Sequence, residues 1–189
     1  GQKDRADLLA LGHAFLLRVH LYQGKLDAAH QLAASASAQA ASAVVHNRTC
    51  WIAGNICLAR GAYRDALAFY QESSQINTSY GGETRSHGAL MIGFTRLALD
   101  QIDEAERQLA TSMTLPTTDS PIIDLYALYG LACVATRRGE YALACKRAEE
   151  VRDQLQRRCH NHRLMELITT LLKNLAEGIT TVTITSLII

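Results

Sequence analysis

Four positions hold register along this chain, and they constrain its fold more than any composition figure does. A turn residue recurs as Gly24, Gly61, Asp100 and Gly139, at intervals of 37, 39 and 39 residues. Two residues after each turn stands an apolar plug: Leu26, Tyr63, Ile102 and Tyr141. Five after it stands an alanine every time, Ala29, Ala66, Ala105 and Ala144; seven before it stand Leu17, Gly54, Gly93 and Ala132. The distance between two packed helices is set by the side chains at their contact, so small residues on either side of a turn predict a close helical hairpin. Between Cys50 and Gln75 the expected contact is Gly54 against Ala66. Recurrence at a fixed period predicts a stack of hairpins, each burying on its neighbours a face it cannot bury alone.

Between the turns, apolar residues recur at helical spacing nearly throughout, and only Pro116 and Pro121 interrupt, both in one junction. The expected hairpins cover about 4–41, 42–76, 81–115 and 120–157, with a lone helix over 161–177, so that the repeat domain is 1–178. Asn77, Thr78, Ser79, Gly81 and Gly82 supply helix-stopping chemistry after the second hairpin. Before the fourth, Ser120 is placed to cap a helix whose first turn holds Pro121. Leu164, Leu167, Ile168, Leu171, Leu172 and Leu175 line one face of the last helix, which is expected to cap the stack. The tail 179–189 is β-branched and nearly uncharged, a segment of strand-pairing character outside the repeats.

With 48% apolar residues and a net charge of +1 over 189 residues, the chain is globular and lacks the basic footprint of nucleic-acid binding. Its five cysteines, odd in number and set in apolar helical patterns without a CxxC, predict a reducing, cytoplasmic setting. No apolar run reaches the length of a membrane span. The first residue is Gly rather than Met, which suggests a piece of a longer protein.

Gly54, Gly61, Tyr63, Ala66 and Tyr70 in the second hairpin resemble the tetratricopeptide-repeat (TPR) motif. So do Gly93, Ile102, Ala105 and Leu109 in the third, and Leu131, Ala132, Gly139, Tyr141 and Ala144 in the fourth. The resemblance covers about 11–157. It implies an all-α, right-handed superhelix of four antiparallel hairpins with a capping helix, serving as a non-enzymatic protein- or peptide-binding scaffold or sensor. The period exceeds the family's usual 34 residues and resembles the TPR-like sensor regions of large bacterial regulators. Cys50 stands where the motif has Trp, with Trp51 one place later, and the first hairpin has Leu17 in the small slot and Ala33 in the aromatic one.

In a stack of this class the first helix of each hairpin lines the concave groove. Its outward face then carries the residues one after, three before and six before the small slot. These are Arg18, Ala14 and Leu11, then Asn55, Trp51 and Arg48; next come Phe94, Leu90 and His87, and last Cys133, Tyr129 and Tyr126. The expected partner-binding row is therefore Arg18, Arg48, Trp51, Asn55, His87, Leu90, Phe94, Tyr126 and Tyr129, taking an apolar peptide or helix. The same aromatic residues would pack against neighbouring hairpins if the row were closed. Leu90 and Phe94 stand where carboxylate-clamping relatives carry cations, which disfavours that mode. Self-association into a homodimer is the alternative function, and a thiol- or metal-using sensor or enzyme a distant third. The run Cys159, His160, Asn161, His162 matches no common zinc spacing, so no catalytic, metal or cofactor site is expected.

Overall fold

The structure, a computed structural model, describes residues 2–39, 42–79, 85–115, 121–158 and 161–180. Nine α-helices make up the described residues: α1 (Gln2–Tyr22), α2 (Leu26–Gln39), α3 (Ala43–Ala59), α4 (Tyr63–Ser79), α5 (Arg85–Ala98), α6 (Ile102–Thr114), α7 (Pro121–Arg137), α8 (Tyr141–Arg158) and α9 (His162–Ala176). The fold is all-α, as the spacing predicts. Helices pair across tight turns as α1 with α2, α3 with α4, α5 with α6 and α7 with α8. They gather into two compact units, one holding α1–α4 and the other α5–α9.

The turn register has a backbone cause. Gly24, Gly61, Gly139 and Asp100 all take positive φ, at 69°, 75°, 77° and 61°. Each turn is closed by the same bond, from the residue after it back to a carbonyl five places earlier. The N–H of Ala62 reaches Cys57 O at 2.8 Å, that of Gln101 reaches Arg96 O at 2.9 Å, and that of Glu140 reaches Ala135 O at 2.9 Å. This is the glycine-favouring helix stop in which a left-handed residue satisfies the last free carbonyls. Asp100 tolerates it because a short polar side chain is among the least penalised there. The register also extends one turn beyond the four positions the sequence marks: Gly178, 39 residues after Gly139, has φ 71° and ends α9 in the same way.

Ridge and notch hold the second and third hairpins together. A Cβ on Gly54 would lie 2.6 Å from the Tyr70 ring, so it is Tyr70, and not Ala66, that fills the notch. In the second unit Leu109 takes the same part against Gly93, where a Cβ would lie 2.8 Å from its Cγ. Leu109 also fills a second notch at Gly130, and the Phe94 ring closes on the same glycine, 3.0 Å from where a Cβ would lie. At the start of α3, Ser42 caps the helix through Val45 N while its own N–H donates to Asp7 Oδ1 at 2.8 Å, tying α3 to α1. Asn161 caps α9 through Leu164 N at 2.8 Å. Of the last helix's expected face, Leu164, Leu167, Ile168 and Leu171 are buried, and α9 packs on α8 and α7. Pro121 opens α7, while Ser120, the Gly81–Gly82 pair, Cys159, His160 and most of the tail lie outside the described residues.

Candidate functional site

The nine residues of the expected row do not share one environment. In the first unit they lie on α1 and α3 and remain at least partly open: Arg18 and Arg48 are exposed, Trp51 and Asn55 half-buried. Trp51 meets the edge of the Tyr70 ring, with centroids 5.4 Å apart at 63°. The Tyr70 hydroxyl, buried beneath, donates to Asn55 Oδ1 at 2.6 Å. Asn55 is thus spent partly on holding Tyr70, and Tyr70 in turn holds Trp51.

Between α1 and α3 a shallow cleft is lined by Ala14, Phe15, Arg18, Arg48 and Ile52. It is an open depression that encloses no space for a small molecule, unlike the concave pockets that hold such ligands. The Arg48 guanidinium stands 5.9 Å from the centroid of the exposed Phe15 ring, within cation–π range. Two arginines beside an open aromatic ring suit an acidic, partly apolar surface and do not suit a buried cofactor.

In the second unit the row is different and corrects the expectation. Leu90, Phe94 and Tyr129 are buried, with Phe94 only 1% exposed, and so offer no surface to a partner. Phe94 and Tyr129 pack ring to ring with centroids 6.2 Å apart. Gly130 is the physical reason: lacking a side chain, it leaves room for Phe94 to turn inward beside Leu109. Tyr129 hydrogen-bonds Cys133, and burial pushes both groups up, the thiol to about 12. His87 and Tyr126 are half-buried, and burial raises Tyr126 against the opposing effects of Asn161 and Arg163.

The cysteines read as packing residues. Among the described residues Cys50, Cys57 and Cys133 are fully buried and Cys145 partly so, and none is joined in a disulfide. Burial, and then the Asp65 carboxylate, push Cys57 up to about 11, although its sulfur lies 3.6 Å from His30 Nδ1. A thiol held protonated at neutral pH is a poor nucleophile and a poor metal ligand.

One cluster escaped the sequence reading. His46, Cys50 and Glu72 bring their donor atoms within 4.8 Å of one another, the first two from one turn of α3 and the third from α4. His46 Nε2 and Glu72 Oε1 are 2.7 Å apart, a hydrogen-bond length. Two donors sharing a tetrahedral zinc at bond lengths of about 2.0–2.1 Å would stand roughly 3.3 Å apart. As it stands the group is a hydrogen-bonded pair linking α3 to α4 above a buried thiol. Its only trace in the sequence is the i, i+4 spacing of His46 and Cys50.

Comparison with known proteins bears on the fold. The fold matches two crystal structures of nearly identical TPR-like repeats attributed to a kinesin light chain of Podosopora anserina. The TM-scores are 0.70, for a variant carrying one substitution, and 0.68, each at 16% identity and covering 92% of this chain and 87% of the other. The chain therefore carries a fold of TPR-like helical repeats. In sequence it is 26% identical over 137 residues to the transcription activator GutR of Bacillus subtilis (strain 168). That stretch is 72% of this chain but 16% of the relative, so the chain corresponds to a small part of that protein's length. No family model matches the sequence. Among the described residues no helix is long and apolar enough to cross a membrane.

Proposed function

We propose that this chain is a non-enzymatic protein-binding module of a larger regulatory protein, and that its partner docks on the open row of the first unit. Repeats of this fold commonly serve as interaction scaffolds, and the relative named above is a transcription activator. The observation that carries the reading is the cleft of Arg18, Arg48 and Phe15 with half-buried Trp51 on the same helix as Arg48. Aromatic and arginine side chains are the residue types over-represented among binding hot spots. The ligand is a peptide or helix with an apolar anchor beside an acidic group, the anchor meeting Phe15 and Trp51 and the acid meeting the guanidinium groups. Leu90, Phe94 and Tyr129 of the second unit take no part, because they are core residues.

Fluorescence anisotropy with two labelled peptide sets, acidic–apolar and basic–apolar, tests this. The parent should prefer the acidic set, and Arg18→Glu with Arg48→Glu should reverse the preference while leaving the helical circular-dichroism signal intact. An unchanged preference in a folded variant would remove the cleft from consideration.

A further inference from the structure

The outer face of α1 is built like a buried face and is exposed. Leu8, Phe15, Leu16 and Val19 are 69%, 62%, 50% and 46% exposed. One period further on, 37 residues away, the same register positions in α3 hold Val45, Ile52, Ala53 and Ile56, all buried. In α7 of the second unit the equivalent positions are Ile123, Gly130, Leu131 and Val134, again all buried. What buries them is the preceding hairpin: α3 packs on both α1 and α2, and α7 packs on both α5 and α6. In the first case Ile52, Ala53 and Ile56 share a cluster with Ala29, Ala33 and Ala36 of α2.

We propose that the Leu8–Val19 face of α1 is an open repeat interface that receives a further helical hairpin of this same class, with an alanine-lined second helix. The position is continuous with an interface that the molecule already uses twice. A second copy of the chain is a poorer occupant. Stacked head to tail, it would have to present the backs of α7 and α8, and α9 already covers that side with Leu164, Ile168 and Leu171. Phe15 belongs both to this face and to the cleft, so a hairpin seated here and the proposed ligand compete for that ring; the inference itself rests on Leu8, Leu16 and Val19, which do not line the cleft.

The test extends the chain by a copy of its own residues 5–41 placed directly before residue 5, which sets the alanine-lined back of α2 against α1 in the native register. Stability in stacked repeats grows with each nearest-neighbour interface. The extension should therefore raise the melting midpoint by at least about 5 °C. Leu8→Glu with Val19→Glu should remove that gain in the extended chain and leave the midpoint of the original chain unchanged. An extension that adds helix without raising the midpoint would overturn the proposal. It would also be overturned if the original chain proved dimeric by light scattering and the double variant monomeric, because the occupant would then be a second copy.

Discussion

The two units use one repeat plan to opposite ends. In α1–α4 the row beside the crossing residues stays open, with Arg18 and Arg48 in solvent and Trp51 half-covered. In α5–α9 the same row is closed, with Leu90, Phe94 and Tyr129 buried. What separates them is where space was left. Gly93 and Gly130 flank Leu109, and the second notch admits the Phe94 ring. The first unit has Arg18 at the position equivalent to Phe94 and Ile52 at the one equivalent to Gly130, and both line the open cleft. A glycine in that register lets the preceding hairpin's side chain into the core, and an isoleucine there leaves it outside.

The sharpest way to break the comparison is to truncate one aromatic in each unit. Phe94→Ala should destabilise by about 3–5 kcal/mol, the usual cost of deleting a buried aromatic side chain. Trp51→Ala should cost clearly less and keep the helical signal, because part of its ring already faces water. Thermal melts of the two variants side by side check this, and equal losses would mean that the two rows are equally buried.

A second effect, somewhat smaller, concerns the notch itself. Gly54 pairs with Tyr70 and Gly93 with Leu109, whereas the equivalent positions in the first hairpin hold Leu17 and Ala33, both in one buried cluster. The first hairpin carries the same contact with large and small exchanged. Gly54→Leu alone should cost about 1–3 kcal/mol through overpacking, since Tyr70 is held by Asn55 and Trp51 and has nowhere to go. Adding Tyr70→Ala should restore much of that loss. Urea unfolding of the singles and the double would give the coupling energy, and strict additivity would contradict the exchange.

This exchange shows how much of the fold is legible in the sequence. The turns, the hairpins and the all-α class follow from the register, because glycine at a left-handed position and alanine at a crossing are locally enforced. Leu17 and Ala33 look like a weak repeat only when each slot is judged alone; judged as a pair, their bulk matches that of the other hairpins. The closure of Leu90, Phe94 and Tyr129 is not legible, because it depends on Gly130, which lies on α7 and outside the motif slots. Nor is the open face of α1. Its leucines and valine fall at ordinary helical spacing, and only the packing of α3 on α1 and α2 and of α7 on α5 and α6 sets the equivalent positions apart. The His46–Glu72 link likewise needs the approach of α4 to become visible.

A smaller effect follows from the thiols. Cys57 and Cys133 are pushed up to about 11 and about 12 in the folded chain, against a usual value of 9.0. Below pH 9 both states hold these protons and the thiols do not affect the pH dependence. As pH rises from 9 towards 11 the unfolded chain loses protons that the folded chain keeps, so stability falls by up to about 1.4 kcal/mol per pH unit for each thiol. Cys57→Ala should therefore flatten the alkaline limb of a stability–pH curve while lowering its plateau. A limb of unchanged slope would show that Cys57 ionises as readily folded as unfolded.

The most direct test of the open first unit uses Trp51, the chain's single tryptophan. Titrating an unlabelled acidic–apolar peptide into the parent should shift and quench tryptophan emission with the same midpoint as anisotropy reports. Phe94→Ala, if it folds at low temperature, should bind with similar affinity, whereas Arg48→Glu should weaken binding tenfold or more, a loss of about 1.4 kcal/mol. Saturable binding that leaves the Trp51 emission unmoved, and that survives Arg48→Glu, would contradict the account and place the partner elsewhere on the chain.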